Sequence, residues 1–225
     1  MISAVIGVGV LWYWLWIGTA VKPEKEIKDV GLGLKLPLYL SGAKSVGWWA
    51  MFITMLAVLT AFVSLVFAYF FYWTIHEDFP PATATGPGVF WPSVAGALLL
   101  GAWALTLLSR RWNSADQPGR FYTGLGLATI LALAGGAAIC AGPWLTGLDP
   151  TTDVYPAIVW LLAIWTAFHA GVGAIMQVYC LARRKAGKMT AQHDIDIHNV
   201  ALFWHFVAVT AVITVGVIAF FPLVK

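Results

Sequence analysis

Long stretches of the sequence hold only apolar and uncharged residues, and their lengths match the thickness of a lipid bilayer. A helix that crosses the hydrocarbon core needs about 20 such residues, each adding about 1.5 Å of rise. Stretches free of Asp, Glu, Lys and Arg lie at residues 2–19, 45–75, 89–109, 121–148, 154–182 and 199–224. The pattern predicts an all-α, polytopic helical bundle with six transmembrane spans, the first being a retained span rather than a cleaved signal peptide.

Basic residues occur in every second connection between the predicted spans. Twelve of the thirteen lysines and arginines fall between spans 1 and 2, 3 and 4, or 5 and 6. The other two connections hold no basic residue and carry Glu77, Asp78, Asp149 and Asp153. Because loops rich in Lys and Arg stay in the cytoplasm, this alternation predicts that the N-terminus and the C-terminus both lie on the outer side.

The composition leaves no room for a separate soluble domain. Hydrophobic residues make up 60% of the 225 residues and charged residues only 10%, whereas soluble domains carry about 25% charged residues. The formal net charge of +3 arises in short loops, so membrane topology explains it better than nucleic-acid binding. We therefore expect a single membrane domain over residues 1–225 and no nucleic-acid partner.

The predicted spans lack the side chains on which most membrane chemistry depends. No carboxylate, lysine or arginine lies inside a span, which counts against a proton pump or an ion-coupled carrier. No nucleophile has an adjacent base, so no catalytic residue is predicted. Cys140 and Cys180 are far apart in apolar stretches, and no disulfide or metal site is expected. A small-solute permease stays an alternative, with these polar groups to build a site: Thr54, Thr60, Ser64, Thr166, His169 and Gln177.

Two histidines lie inside the predicted spans, and neutral imidazole can ligate haem iron. His169 is about 13 residues, or roughly 20 Å, from the cytoplasmic end of its span, and His205 is about 6 residues, or roughly 9 Å, into the last span. Because one iron needs its two ligands at nearly the same depth, we expect both histidines to pack, to meet lipid headgroups or to bond between helices. A membrane b-type cytochrome using His169 with His198 or His205 stays the alternative.

Three motifs from residue 45 onward resemble subunit III of the haem-copper oxidases. The last span begins with HNVALFWHFV at residues 198–207, similar to that family's aromatic-Trp-His-Phe-Val run. The preceding span carries TAFHAG at residues 166–171, similar to the family's Thr-Gly-Phe-His-Gly segment. Residues 52–54 (FIT), 67–70 (FAYF) and 79–81 (FPP) resemble the helix and the aromatic-Pro-Pro turn that precede them, in the family's order.

The chain also departs from that family. Met55 and Leu56 stand where the family often has a glutamate, and Ala208 stands where it often has an aspartate. These absences count against a proton-antenna function. The six predicted spans are one fewer than the family's seven. Shortened subunits, subunits fused to subunit I and a related nitric-oxide-reductase accessory branch all remain open.

The resemblance implies a non-catalytic structural subunit of a cytochrome c or quinol oxidase in the bacterial inner membrane. Residues 1–44 would then be an extra first helix with a basic cytoplasmic loop, and residues 45–225 a subunit III-like five-helix core. The implied partners are oxidase subunits I and II, which would carry the haem and copper, and phospholipid; no cofactor is expected in this chain. The expected lipid or subunit-packing residues are His169, Trp204, His205, Arg110 and Arg111.

Overall fold

A computed structural model describes residues 6, 9–10, 12–13, 27–29, 31–33, 35–37, 42, 45–81 and 86–224. Five long helices dominate this part of the chain: α1 (Val46–Ile75), α2 (Phe90–Ser114), α3 (Pro118–Leu145), α4 (Val154–Lys185) and α5 (Ile195–Val215). α5 continues through one π-helical turn, Gly216–Phe220, and a short 3₁₀ turn, Phe221–Val224. All five helices are long and apolar enough to cross a membrane, as expected of a multi-pass membrane protein.

Three of the five long helices begin at a residue that suits the start of a helix. The Ser45 hydroxyl accepts a hydrogen bond from the Trp48 N–H at 3.1 Å and so caps α1. Pro118 occupies the first turn of α3, where its missing N–H costs nothing. The Asp153 carboxylate accepts a hydrogen bond from the Val154 N–H at the start of α4. These caps satisfy part of the backbone that each helix end leaves unpaired.

Helices α2 to α5 close into a four-helix ring. α2 packs on α3, α3 on α4, α4 on α5, and α5 returns to α2. Two bonds set the antiparallel register of α4 and α5: Arg183 Nε lies 2.7 Å from Asp196 Oδ2, and the Thr166 and Thr214 hydroxyls lie 3.0 Å apart. Two helices can approach closely only where small residues lie between them. Gly135 of α3 is such a residue, because an added Cβ would lie 2.8 Å from the Leu99 side chain of α2.

α1 lies outside the ring and contacts α5 and α4. Its buried side chains, Met55, Phe62 and Tyr69, are spaced seven residues apart. Met55 joins the core nearest the basic end of the bundle, and Phe62 and Tyr69 join the core at the acidic end. One narrow stripe along α1 therefore attaches the helix to the ring.

The structure confirms five of the six predicted spans and adds one element that the sequence did not predict. The first predicted span, residues 2–19, lies largely outside the described residues, although Ile6, Val10, Trp12 and Tyr13 are helical. In the predicted loop that follows, β1 (Ile27–Asp29) pairs antiparallel with β2 (Lys35–Pro37). The turn between them uses Gly31 and Gly33, both with positive φ. The described part of the chain is thus helical in class, as predicted, with one short hairpin beside the helices.

Candidate functional site

Trp204 lies inside the bundle, on the face of α5 that meets α4. Its side chain is fully buried. It packs against Gly173, where an added Cβ would come within 2.9 Å of the indole ring. The indole Nε1 has no hydrogen-bond partner among the described residues. Trp204 is therefore placed for packing between helices rather than for contact with a lipid headgroup.

His205 follows Trp204 in sequence but lies about 100° further around α5, where it is exposed. The Trp103 indole Nε1 donates a hydrogen bond to His205 Nδ1 at 3.0 Å, so the neutral ring carries its proton on Nε2. Arg110, two turns along α2 from Trp103, lies close enough to His205 to interact with it electrostatically. We call Trp103, Arg110 and His205 the α2–α5 polar patch. It presents a cation and a polar ring together on the outer surface of the bundle.

His169 is almost fully buried and is surrounded by aromatic rings. Its Nδ1–H donates to the Trp165 carbonyl at 2.8 Å, one helical turn away. The ring lies 4.6 Å from that of Trp165 and 5.3 Å from that of Phe206 on α5, measured between centroids. His169 thus fills an aromatic contact between α4 and α5, and its neutral form is held in one tautomer.

The three histidines of the b-type cytochrome alternative have separate surroundings. His205 bonds to Trp103, His198 Nε2 lies 3.1 Å from Asp194 Oδ2, and His169 faces aromatic rings. α4 and α5 extend further towards the basic end than the charge-free runs of the sequence. His169 is 16 residues from Lys185 and His205 is 10 residues from Ile195, so the two residues lie roughly 24 and 15 Å from these helix ends. The offset between them is about 9 Å, against roughly 11 Å expected from the sequence.

The basic residues at this end of the bundle fall into two groups. Arg183 pairs with Asp196 at 2.7 Å, and Arg184 pairs with Asp116 at 2.6 Å. Arg110 is half-buried and Arg111 is exposed in the last turns of α2. Neither makes an ion pair within residues 45–81 or 86–224. Arg110 and Arg111 therefore keep their charge available for groups outside the bundle.

A line of buried polar side chains inside the ring was missed by the sequence analysis. Thr106, Ser109 and Asn113 follow one face of α2, and all three are fully buried. Gln177 of α4 donates through Nε2 to the Thr106 hydroxyl at 2.8 Å, and Asn113 donates through Nδ2 to the Thr190 carbonyl at 3.0 Å. Their spacing of three and then four residues along α2, which puts them on one helix face, could have revealed this line from the sequence. In a bilayer such bonds join helices at close quarters.

The positions that lack the family's carboxylates are apolar in the folded chain as well. Met55 belongs to the buried stripe of α1, and Leu56 next to it is exposed on the outer surface. Ala208 is buried within the ring on α5. Within the described residues, no three His, Cys, Asp or Glu side chains lie close enough to hold a metal ion. The geometry around these positions offers packing surfaces rather than proton-carrying groups.

Comparison with known proteins adds no assignment to this geometry. No protein-family model matches the chain, and no curated protein matches it.

Proposed function

We propose that this chain is a non-catalytic subunit of a haem-copper terminal oxidase, of the subunit III kind. It packs in the membrane beside the catalytic subunit, holds phospholipid and supports oxygen reduction by the whole complex. The partners we propose are subunits I and II, which carry the haem and copper. We place the complex in the bacterial inner membrane, with the basic end of the bundle in the cytoplasm and both termini outside.

One observation carries this proposal: the motifs that resemble the family meet one another in the fold. His169, from the TAFHAG segment, touches Phe206 of the FWHFV segment, and Trp204 of that segment packs on Gly173, two residues beyond TAFHAG. The Phe79 ring of the FPP turn lies 5.2 Å from the Tyr69 ring of the FAYF segment. Separate sequence matches that come together as packing partners support a shared architecture better than matches scattered over the surface.

The α2–α5 polar patch supports the lipid-holding part of the proposal. Arg110 supplies a cation at the basic end of α2, and His205 supplies a polar ring about 15 Å from the start of α5. A phosphate at the cytoplasmic headgroup level would meet Arg110 first. The buried Trp204 belongs to the interior packing and is not part of this lipid site.

The decisive experiment is gentle extraction of the tagged full chain from its native membranes. We expect it to co-purify with larger membrane polypeptides, with haem absorbance and with oxygen consumption. The same chain expressed without its partners should be colourless. Recovery from native membranes as a lone polypeptide would contradict the proposal. Co-purification with a complex that reduces nitric oxide but not oxygen would favour the nitric-oxide-reductase branch.

One geometric feature favours the b-type cytochrome as the second candidate. A histidine whose Nδ1–H is held by a carbonyl leaves Nε2 free to ligate a metal, and His169 has this arrangement. This candidate requires a haem absorbance band from the isolated chain that disappears in His169→Ala. A colourless isolated chain with an unaltered fold would exclude it.

The lipid part of the proposal has its own test. Arg110→Gln should weaken binding of phosphatidylglycerol to the full chain about fivefold, because one basic residue near an anionic headgroup contributes about 1 kcal/mol. Arg120→Gln is the matched control, since Arg120 is exposed near the same end and bonds to Gln117. Native mass spectrometry of the chain in detergent measures both. Equal losses in the two variants would mean that the patch holds no lipid of its own.

A further inference from the structure

We propose that a groove at the acidic end of the bundle binds a phospholipid whose headgroup carries an ammonium group. The groove lies where α3 ends and α4 begins, and its volume is about 630 Å³, within the range of small-molecule sites. It is at the opposite end of the bundle from the α2–α5 polar patch. The proposal needs only membrane placement of the chain and does not depend on any oxidase partner.

The groove is held open by a bond between its two walls. The Trp160 indole of α4 donates through Nε1 to the Leu148 carbonyl at 2.6 Å. Leu148 itself is buried in the core at this end. This bond fixes the segment that follows α3 against α4, so the groove exists before any ligand enters it.

The floor of the groove suits an acyl chain. Ala157, Leu161 and Ile164 of α4 line it at intervals of four and three residues, so they form one stripe along the helix. Leu161 and Ile164 are exposed, and the small Ala157 leaves space at the end nearest the headgroup level. An acyl chain of a lipid can therefore lie along α4, with the end nearest its headgroup beneath the two tryptophans of the groove, Trp144 and Trp160.

The mouth of the groove suits a positive charge. Among the described residues that line it, Asp149 is the only charged one. Asp149 Oδ1 accepts hydrogen bonds from the Thr151 N–H at 2.8 Å and the Thr151 hydroxyl at 2.7 Å. These bonds lower the pKa of Asp149, so its carboxylate is charged at neutral pH. Both bonds use Oδ1, which leaves Oδ2 for a ligand.

Two further features distinguish an amine headgroup from an anionic one. The Trp144 ring at the mouth is 75% exposed, and an exposed indole face attracts an ammonium group. Neither connection at this end, residues 76–89 and 146–153, contains a lysine or arginine. An anionic headgroup such as phosphatidylglycerol would be repelled by the Asp149 carboxylate, whereas phosphatidylethanolamine or phosphatidylcholine brings the complementary charge.

The test uses the full chain in detergent and measures retained lipid by native mass spectrometry. Phosphatidylethanolamine should bind about fivefold more tightly than phosphatidylglycerol, a factor equivalent to about 1 kcal/mol. Because Arg110 can also retain the anionic lipid, the comparison is made in the Arg110→Gln background. Asp149→Asn should abolish the preference. Asp78→Asn, which removes an exposed carboxylate outside the groove at the same end, should leave it intact.

A second pair of variants tests the floor of the groove. Ala157→Phe should reduce phosphatidylethanolamine binding at least about fivefold by filling the space under the tryptophans. Ala104→Phe adds the same ring at an exposed site on α2 and should change nothing. Equal affinity for the two lipids, a preference that survives Asp149→Asn, or unaltered binding by a folded Ala157→Phe variant would each overturn the proposal.

Discussion

Helix α1 is more apolar in sequence than three of the four helices α2 to α5 that form the ring, yet fewer of its residues are buried. In the most apolar 18-residue stretch of each helix, 11% of the residues of α1 are buried, against 39–56% for the other four. Large side chains such as Ile53, Val63 and Phe67 are exposed on α1. The ring is closed by contacts on two sides of every helix, whereas α1 is attached along one stripe, and most of its surface is not covered by the other described helices.

The strongest test of the ring is to insert volume where two helices touch. Gly173→Val should destabilise the fold by about 3 kcal/mol, because the new side chain collides with the fully buried Trp204. Gly171→Val is the control: it lies two residues away in α4 and a Cβ there meets nothing within 4 Å. Unfolding of the purified chain in detergent measures the difference. Similar losses in both variants would mean that helix propensity, not the close contact, sets the cost.

The attachment of α1 can be broken at the centre of its stripe. Phe62→Ala should cost about 2 kcal/mol, since Phe62 is fully buried and its loss leaves a cavity beside Trp165 of α4. The cost is below that in a water-soluble core, because lipid is as apolar as the phenyl ring. Phe67→Ala, on the exposed side of the same helix, should cost less than about 0.5 kcal/mol. Protease sensitivity of the α1–α2 connection would report detachment of α1 directly.

Hydroxyl groups in the two regions should also behave differently. Thr106→Val should cost about 1 kcal/mol, because it leaves the buried Gln177 amide without its acceptor. Thr60→Val on α1 should be nearly neutral, since that hydroxyl is exposed and bonds within its own helix to the Leu56 carbonyl. Adding Gln177→Leu to Thr106→Val should recover most of the lost stability, because the unpaired amide is then removed. Failure of this rescue in unfolding measurements would show that the amide is satisfied in another way.

The smallest expected effect lies on the outer face of the ring. Trp103→Phe removes the hydrogen-bond donor to His205 Nδ1. It should lower the stability by about 0.5 kcal/mol, which is the typical contribution of a hydrogen bond between membrane helices. A double-mutant cycle with His205→Phe isolates the bond from the change in ring packing. A coupling energy indistinguishable from zero would mean that α2 and α5 do not depend on this bond for their contact.

The helices could be predicted from the sequence, but their ends and faces could not. Charge-free runs located all five described helices, because charge is excluded from the hydrocarbon core. Two of these charge-free runs end at Ser109 and Ala182, before the helices do, since α2 continues to Ser114 and α4 to Lys185. Charged residues remain helical at the membrane edge, where water and headgroups can solvate them.

The choice between Trp204 and His205 shows why the candidate site was harder to predict. The two residues are adjacent, and both were expected either to contact lipid or to take part in packing. On a helix of a soluble protein, the polar residues mark the face that points to water. On a membrane helix both the lipid-facing and the core-facing residues are apolar, so the hydrophobic pattern does not tell them apart. Only the contacts show that Trp204 packs inside on Gly173 while His205 faces outward with Trp103.

The three buried residues of α1 also constrain the path of that helix. Residues seven apart in an α-helix do not fall on a straight line but drift about 20° around the axis at each interval. Met55, Phe62 and Tyr69 therefore trace a slow spiral over 14 residues, or roughly 21 Å. To keep all three against the ring, α1 must lean across it in the left-handed sense of a coiled coil, so that a rotation imposed at one end of the helix would be transmitted to the other.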